Sequence, residues 1–183
     1  MFEVPSFAEL GLGAALPAIA LAISATILLL IDLFIPRERK MATAIIALVY
    51  VGMAFVINFF TFNADTTSFM GLFAADQFTG ILNMIVLFAA FISILLSIDY
   101  IKRTGIERGE FYTLLLLSVS GIMFMGAAND LTMIFIALEL LSIPLYVMAA
   151  FRAPDLKSEE SGLKYFILGA FASAFFVYGA ALV

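Results

Sequence analysis

Residues 131–151, LTMIFIALELLSIPLYVMAAF, decide the fold of this chain. At about 1.5 Å per residue the stretch extends roughly 30 Å, the thickness of a bilayer's hydrocarbon core, and almost all of it is apolar. One residue is a carboxylate. Glu139 falls near the middle of the run, so a helix that crosses the membrane places it close to the midplane. An acidic residue there costs about 2.5–3.5 kcal/mol, and residues carried at that cost face a bundle interior, a partner charge or a water-filled path.

The flanking sequence has the same character. Of 183 residues, 64% are hydrophobic and 13% charged, with a mean hydropathy of +1.16. Soluble domains average about 45–50% apolar and about 25% charged residues, so this is an integral membrane protein. Cysteine and histidine are both absent. That excludes disulfides, thiolate or imidazole metal sites, haem ligation by His or Cys, and histidine proton relays. Carboxylates, lysines, hydroxyls and water must carry any proton chemistry. The net charge of −5 mixes loops from two sides of a membrane and decides little.

Apolar runs at 14–35, 42–62, 76–101, 110–128, 131–151 and 160–183 predict six transmembrane helices in a single all-α membrane domain. They are runs of about 20 residues, not the 10-residue alternations of a barrel strand. The opening decapeptide, MFEVPSFAEL, carries Glu3 and Glu9 and no basic residue, unlike a secretory leader, and is expected on the mature chain. Residues 63–75 form a longer polar-aromatic connection with Asp65 and no Lys or Arg. Asn129-Asp130 makes so tight a turn that the fourth and fifth spans must be antiparallel neighbours. Ser158-Glu159-Glu160 has the hydroxyl-plus-acid pattern of a helix start. The sixth run is still apolar at Val183, which reads as a truncated C-terminus.

Basic residues fix the orientation. Arg37, Arg39 and Lys40, then Lys102, Arg103 and Arg108, then Arg152 and Lys157 all lie in odd-numbered loops, and the second and fourth loops have none. The odd loops are therefore expected in the cytoplasm and the N-terminus on the outer side.

Along the fifth span Thr132, Phe135, Glu139, Ser142 and Tyr146 recur at alternating spacings of 3 and 4, which is one helical face. Pro144 removes the backbone donor that would have paired with the Leu140 carbonyl, beside Glu139, and Ser142 or a water is expected to satisfy it. A packing kink explains Pro144 equally well. Lys164 is the sole cation within any of the six runs and lies nearer the cytoplasmic end than Glu139 does. It either partners Glu139 or snorkels to the interface, and Glu139 either relays protons or is a neutral acid bonded between helices. Asp32 and Asp99, next to basic loops, are expected to form local ion pairs, and Asn83 an interhelical hydrogen bond. Gly162, Gly169, Ala172, Ser173 and Gly179 read as a small-residue packing face.

The elements LELLSIPLY at 138–146 and LKYFILGAFASA at 163–174, in this order and spacing, closely resemble the subunit N family of proton-pumping NADH:quinone oxidoreductases, respiratory complex I. The resemblance implies an antiporter-like fold of about fourteen helices in two inverted repeats, of which this chain holds the first six. It also implies roles in proton translocation for Glu139 and Lys164, while Ser142, Pro144, Thr132 and Tyr146 are expected, from their places on the fifth span, to mark the helix break or polar path. It further implies a bacterial plasma-membrane location beside other antiporter-like subunits, with NADH, flavin, iron–sulfur clusters and quinone held elsewhere in the complex. Within this chain no cofactor, metal or nucleic-acid partner is expected. Subunits of multisubunit cation/proton antiporters share the fifth-helix glutamate and are the alternative, although the residues around it read differently from LSIPLY.

Overall fold

The computed structural model describes residues 11–36, 39–62, 66–106 and 108–183. Expectations resting on the first ten residues, on Arg37 and Glu38, on 63–65 with Asp65, and on Glu107 lie outside these. The six apolar runs become helices α1 (Leu16–Phe34), α2 (Met41–Thr61), α3 (Gln77–Thr104), α4 (Glu110–Gly126), α5 (Leu131–Ala149) and α6 (Leu156–Ala180). Five are long and apolar enough to cross a membrane. The exception is α4, whose 17 residues reach about 25 Å.

That shortest helix is the centre of the bundle. It packs against α1, α3 and α5 and touches α2, with residues from Tyr112 to Met123 buried around its circumference. Small residues allow this. Ser120 donates to the Ala18 carbonyl of α1 at 3.0 Å, and Gly126 leaves room for Leu82 of α3. Between α2 and α3, Asn83 donates to Asn58 Oδ1 at 3.1 Å, the interhelical bond expected of it, and Asn58 donates to the Gly80 carbonyl at 3.0 Å. By contrast α6 lies on α5 at the edge of the bundle, and Gly162 is its one buried residue.

Two helix ends differ from the sequence expectation. The sixth helix starts a turn earlier than Ser158, because the Asp155 carboxylate accepts from the Lys157 amide at 3.0 Å and caps it there. Ser158 serves another purpose: its hydroxyl donates to the Ala149 carbonyl at 3.0 Å, tying the end of α5 to α6. The third helix continues past 101 to Thr104 and stops at Gly105, whose φ of +68° is the left-handed closure glycine supplies cheaply.

The second connection contains a hairpin that the sequence reading did not foresee. Strand β1 (Thr66–Ser68) pairs antiparallel with β2 (Phe73–Ala75), with Ser68 opposite Phe73. Phe69, Met70 and Gly71 turn the chain with successive φ values of +53°, +59° and +93°. Two non-glycine residues in that region cost on the order of 1 kcal/mol or more each. Burial offsets it: Phe73 is 1% exposed and sits among Ala14, Ala15, Ala127 and Met133. The hairpin is also bonded to the α4–α5 turn, through the Ala74 amide to Ala127 O at 2.8 Å and the Asn129 amide to Leu72 O at 2.9 Å.

At the opposite, basic end Asp32 is 4% exposed. Its carboxylate accepts from Lys40 Nζ at 2.7 Å and from Thr43 Oγ1 at 2.6 Å, and Gly109 packs so closely that a Cβ there would overlap it. Asp99 pairs with Arg103 at 3.2 Å on the exposed surface. Both aspartates thus form the local ion pairs expected of them.

Two further aspartates cap helices at the hairpin end. Asp76 accepts from the Thr79 amide at 2.8 Å and Asp130 from the Thr132 amide at 2.7 Å. These amide bonds hold both carboxyls below the ordinary aspartate value near 3.9. A depressed folded value means that the stabilisation is complete above the ordinary value and is lost as pH falls through the lower, folded one. Replacing Asp130 with Asn keeps an acceptor oxygen and removes the titration. Its thermal midpoint is expected to fall less steeply than that of the parent between about pH 4 and pH 2, as thermal scans across that interval would measure.

Candidate functional site

Asp130 starts α5, and the alternating spacing then carries Phe135, Glu139, Ser142 and Tyr146 along one side of it toward α6. The α5–α6 seam is antiparallel and in clear register. Ala150 meets Gly162, and Tyr146 lies over Gly169, where any Cβ would overlap its hydroxyl. The Tyr146 ring packs edge-on against Tyr165 with centroids 4.7 Å apart. Phe135 stacks on Phe176 at 6.4 Å.

Between these aromatic contacts lies the polar one. Ser173 Oγ donates to Glu139 Oε1 at 2.5 Å. Both residues are half-buried, and their neighbours along the seam are apolar or aromatic. Beyond Ser173, toward the hairpin end, a groove of about 530 Å³ opens between the two helices. Ser173 and Tyr178 supply the hydroxyls on its walls, and Phe135, Ala174 and Val177 the apolar surface.

The structure does not bring Lys164 to Glu139. Lys164 pairs with Glu160, one turn back on its own helix, at 2.5 Å, and its side chain is 70% exposed. The geometry explains why. Lys164 follows the α5-facing Gly162 by two residues, about 200° round the helix, so it leaves α6 on the far side. The seam register also sets it level with Met148, about nine residues or roughly 13 Å nearer the basic end than Glu139. Among the described residues no cation pairs with Glu139, so a direct Glu–Lys pair is not part of this arrangement.

The remaining residues of the expected polar path divide. Tyr146 is buried in the seam, two turns from Glu139. Thr132 is exposed in the first turn of α5 and stands apart from the site. Ser142 is half-buried, but the hydroxyl that reaches Glu139 is that of Ser173. Pro144 is buried within α5. Opposite the carbonyl that it frees, Gly121 of α4 presses on the α5 backbone: a Cβ there would come within 2.9 Å of Leu140 C and 2.8 Å of Leu141 Cα.

Sequence reasoning missed both Ser173 and Gly121. A signal for Ser173 was present, since Gly162, Gly169 and Ser173 are spaced 7 and 4 apart and share the face that meets α5. Gly121 had none, because nothing in one sequence says which face of α4 meets α5.

Comparison with known proteins agrees with this architecture. Residues 128–183 match the family described as NADH:quinone oxidoreductase/Mrp antiporter, TM. Subunit N of the NADH-quinone oxidoreductase from Chloroflexus aggregans is 40% identical over 168 residues, covering 91% of this chain and 34% of the relative. The chain belongs to the subunit N family of NADH-quinone oxidoreductases. A further relative, NAD(P)H-quinone oxidoreductase subunit 2 of Synechocystis sp., is 35% identical over 179 residues, 96% of this chain and 34% of that one. In three dimensions the chain is similar to one in respiratory complex I from Thermus thermophilus with bound aureothin. The TM-score is 0.73 at 28% identity, over 91% of this chain and 36% of the other. This member of the subunit N family, a multi-pass membrane chain, spans about a third of the length of the curated relatives it matches.

Proposed function

We propose that this chain is a proton-translocating membrane subunit of an NADH:quinone oxidoreductase, with Glu139 as its mid-membrane proton relay. The observation that carries the reading is the Glu139–Ser173 bond, a side-chain hydrogen bond between α5 and α6 set between the aromatic contacts Tyr146–Tyr165 and Phe135–Phe176. A carboxylate held at that depth is a resting point for a proton, because it accepts one from one side and releases it to another without leaving the protein.

The basic end then faces the cytoplasm of a bacterial plasma membrane and the hairpin end faces outward. Lys164 and Glu160 form a second, separate polar station nearer the cytoplasm, on the open face of α6. Transfer between it and Glu139 goes through groups that cover that face. Tyr146 lines the intervening seam. Flavin, iron–sulfur clusters and quinone belong to partner subunits, among them neighbouring antiporter-like ones, and this chain couples their redox work to proton movement.

The test is Glu139→Gln in the full-length protein within its assembled complex, reconstituted in vesicles. NADH-driven proton pumping is expected to fall about a hundredfold, the lower end of the range for losing a proton-transfer group. Electron transfer to a soluble acceptor should persist. Pumping at the parent rate would sink the assignment. Copurification with flavin- and iron–sulfur-bearing subunits separates this reading from that of a free-standing cation/proton antiporter.

A further inference from the structure

Among the described residues Ser173 supplies the side-chain hydrogen bond to Glu139, and its hydroxyl does not bond back to a carbonyl of its own helix. Serine hydroxyls on membrane helices ordinarily bond back to a carbonyl of their own helix three or four residues earlier, as Ser93 does to Ala89 O at 2.8 Å and Ser97 to Ile94 O at 2.7 Å in α3. Ser173 instead reaches across the seam to α5. Two features aim it there. Gly169 one turn before it admits the Tyr146 hydroxyl, Phe176 one turn after it stacks on Phe135, and together they fix the rotation of α6 about its axis.

On its far side Ser173 borders the groove that opens toward the hairpin end. A hydroxyl in that place both donates to the carboxylate and accepts from whatever occupies the groove. From this geometry we infer that Ser173 is the positioning residue for Glu139: its hydroxyl holds the carboxylate toward α6 and connects it to the α5–α6 groove. The inference rests on the relay reading of Glu139 and adds the group through which that relay is oriented and reached. No bond other than O–H is made or broken. A proton passing between carboxylate and groove moves on as the serine proton is handed forward and replaced from behind.

Valine and threonine at position 173 are near-isosteric and differ in the hydroxyl, so the pair separates a positioning role from packing. The experiment uses the full-length protein in its assembled complex, reconstituted in vesicles, with Ser173→Val, Ser173→Thr and Glu139→Gln. Ser173→Val is expected to lower NADH-driven proton pumping about tenfold, the loss of one hydrogen bond to a charged group. Ser173→Thr should restore it to within about twofold. In infrared difference spectra, the carboxyl band that Glu139→Gln removes should shift in the valine variant and keep its position in the threonine one.

If valine and threonine variants pump equally, whether well or badly, and the band stays put in both, Ser173 is packing alone. That result overturns the inference and leaves Glu139 standing, provided that Glu139→Gln still lowers pumping about a hundredfold. Should Glu139→Gln pump normally, the relay reading fails and the inference falls with it. Ser173→Ala, smaller than the native residue, supplies the same comparison if the branched variants do not assemble.

Discussion

Gly121→Leu is expected to push α5 off α4 and to lower stability by about 3 kcal/mol or more, the upper part of the range for overpacking. The usual escape is closed. Most overpacked sites relax by turning a neighbouring side chain, but the atoms facing Gly121 are backbone, Leu140 C and Leu141 Cα, at 2.9 and 2.8 Å from an added Cβ. They cannot move unless the whole helix moves. Glu139 is one residue from Leu140, so displacement of α5 also stretches the bond to Ser173. Gly121→Ala should cost less, about 1–2 kcal/mol, because a single methyl is accommodated by a smaller shift. Thermal unfolding of the purified full-length protein in detergent would measure both. A leucine variant that melts with the parent would show that the two helices do not approach as closely as described.

The second large effect is expected at Asp32. Its carboxylate, 4% exposed, holds Lys40, itself 13% exposed, at 2.7 Å. Removing one partner of a buried pair strands the other charge away from water, which costs about 3–5 kcal/mol. Asp32→Ala should therefore lower the thermal midpoint by roughly 10 °C in a domain of this size. Lys40→Met should cost a similar amount for the mirror-image reason. The double variant Asp32→Leu with Lys40→Met leaves no charge behind and should recover most of the loss, since apolar replacements of a buried pair are often neutral. A double-mutant cycle measures the coupling, and additive single effects would mean that water reaches the pair.

The helices were legible because each is an apolar run of membrane length, and lipid leaves the backbone no alternative to bonding within its own helix. The hairpin was not legible: strands of three residues are too short for alternation to register, and the residues that hold it, Ala127 and Asn129, lie more than fifty positions along the chain. Asp155 and Ser158 both had the chemistry of a helix cap, and only the path of the chain out of α5 assigns the cap to the first and the crosslink to the second. Within the site, Glu139 stood out by its cost, whereas Ser173 was hidden among glycines and alanines whose role is packing. Lys164 shows the opposite failure. Its charge made it conspicuous, but rotation about α6, set by Gly162 and Gly169, turns it away from Glu139, one of the two places the sequence left open to it.

The bonds from the hairpin to the turn joining α4 and α5 also shape how the bundle can move. They make one end of α5 a fixed pivot, with Asn129 and Ala127 clamped to Leu72 and Ala74. Swing in the helix must therefore carry α6 with it, because Ser158 ties the far end of α5, at Ala149, to that helix. A spin label near Asn129 would report a still environment, the point about which both helices turn.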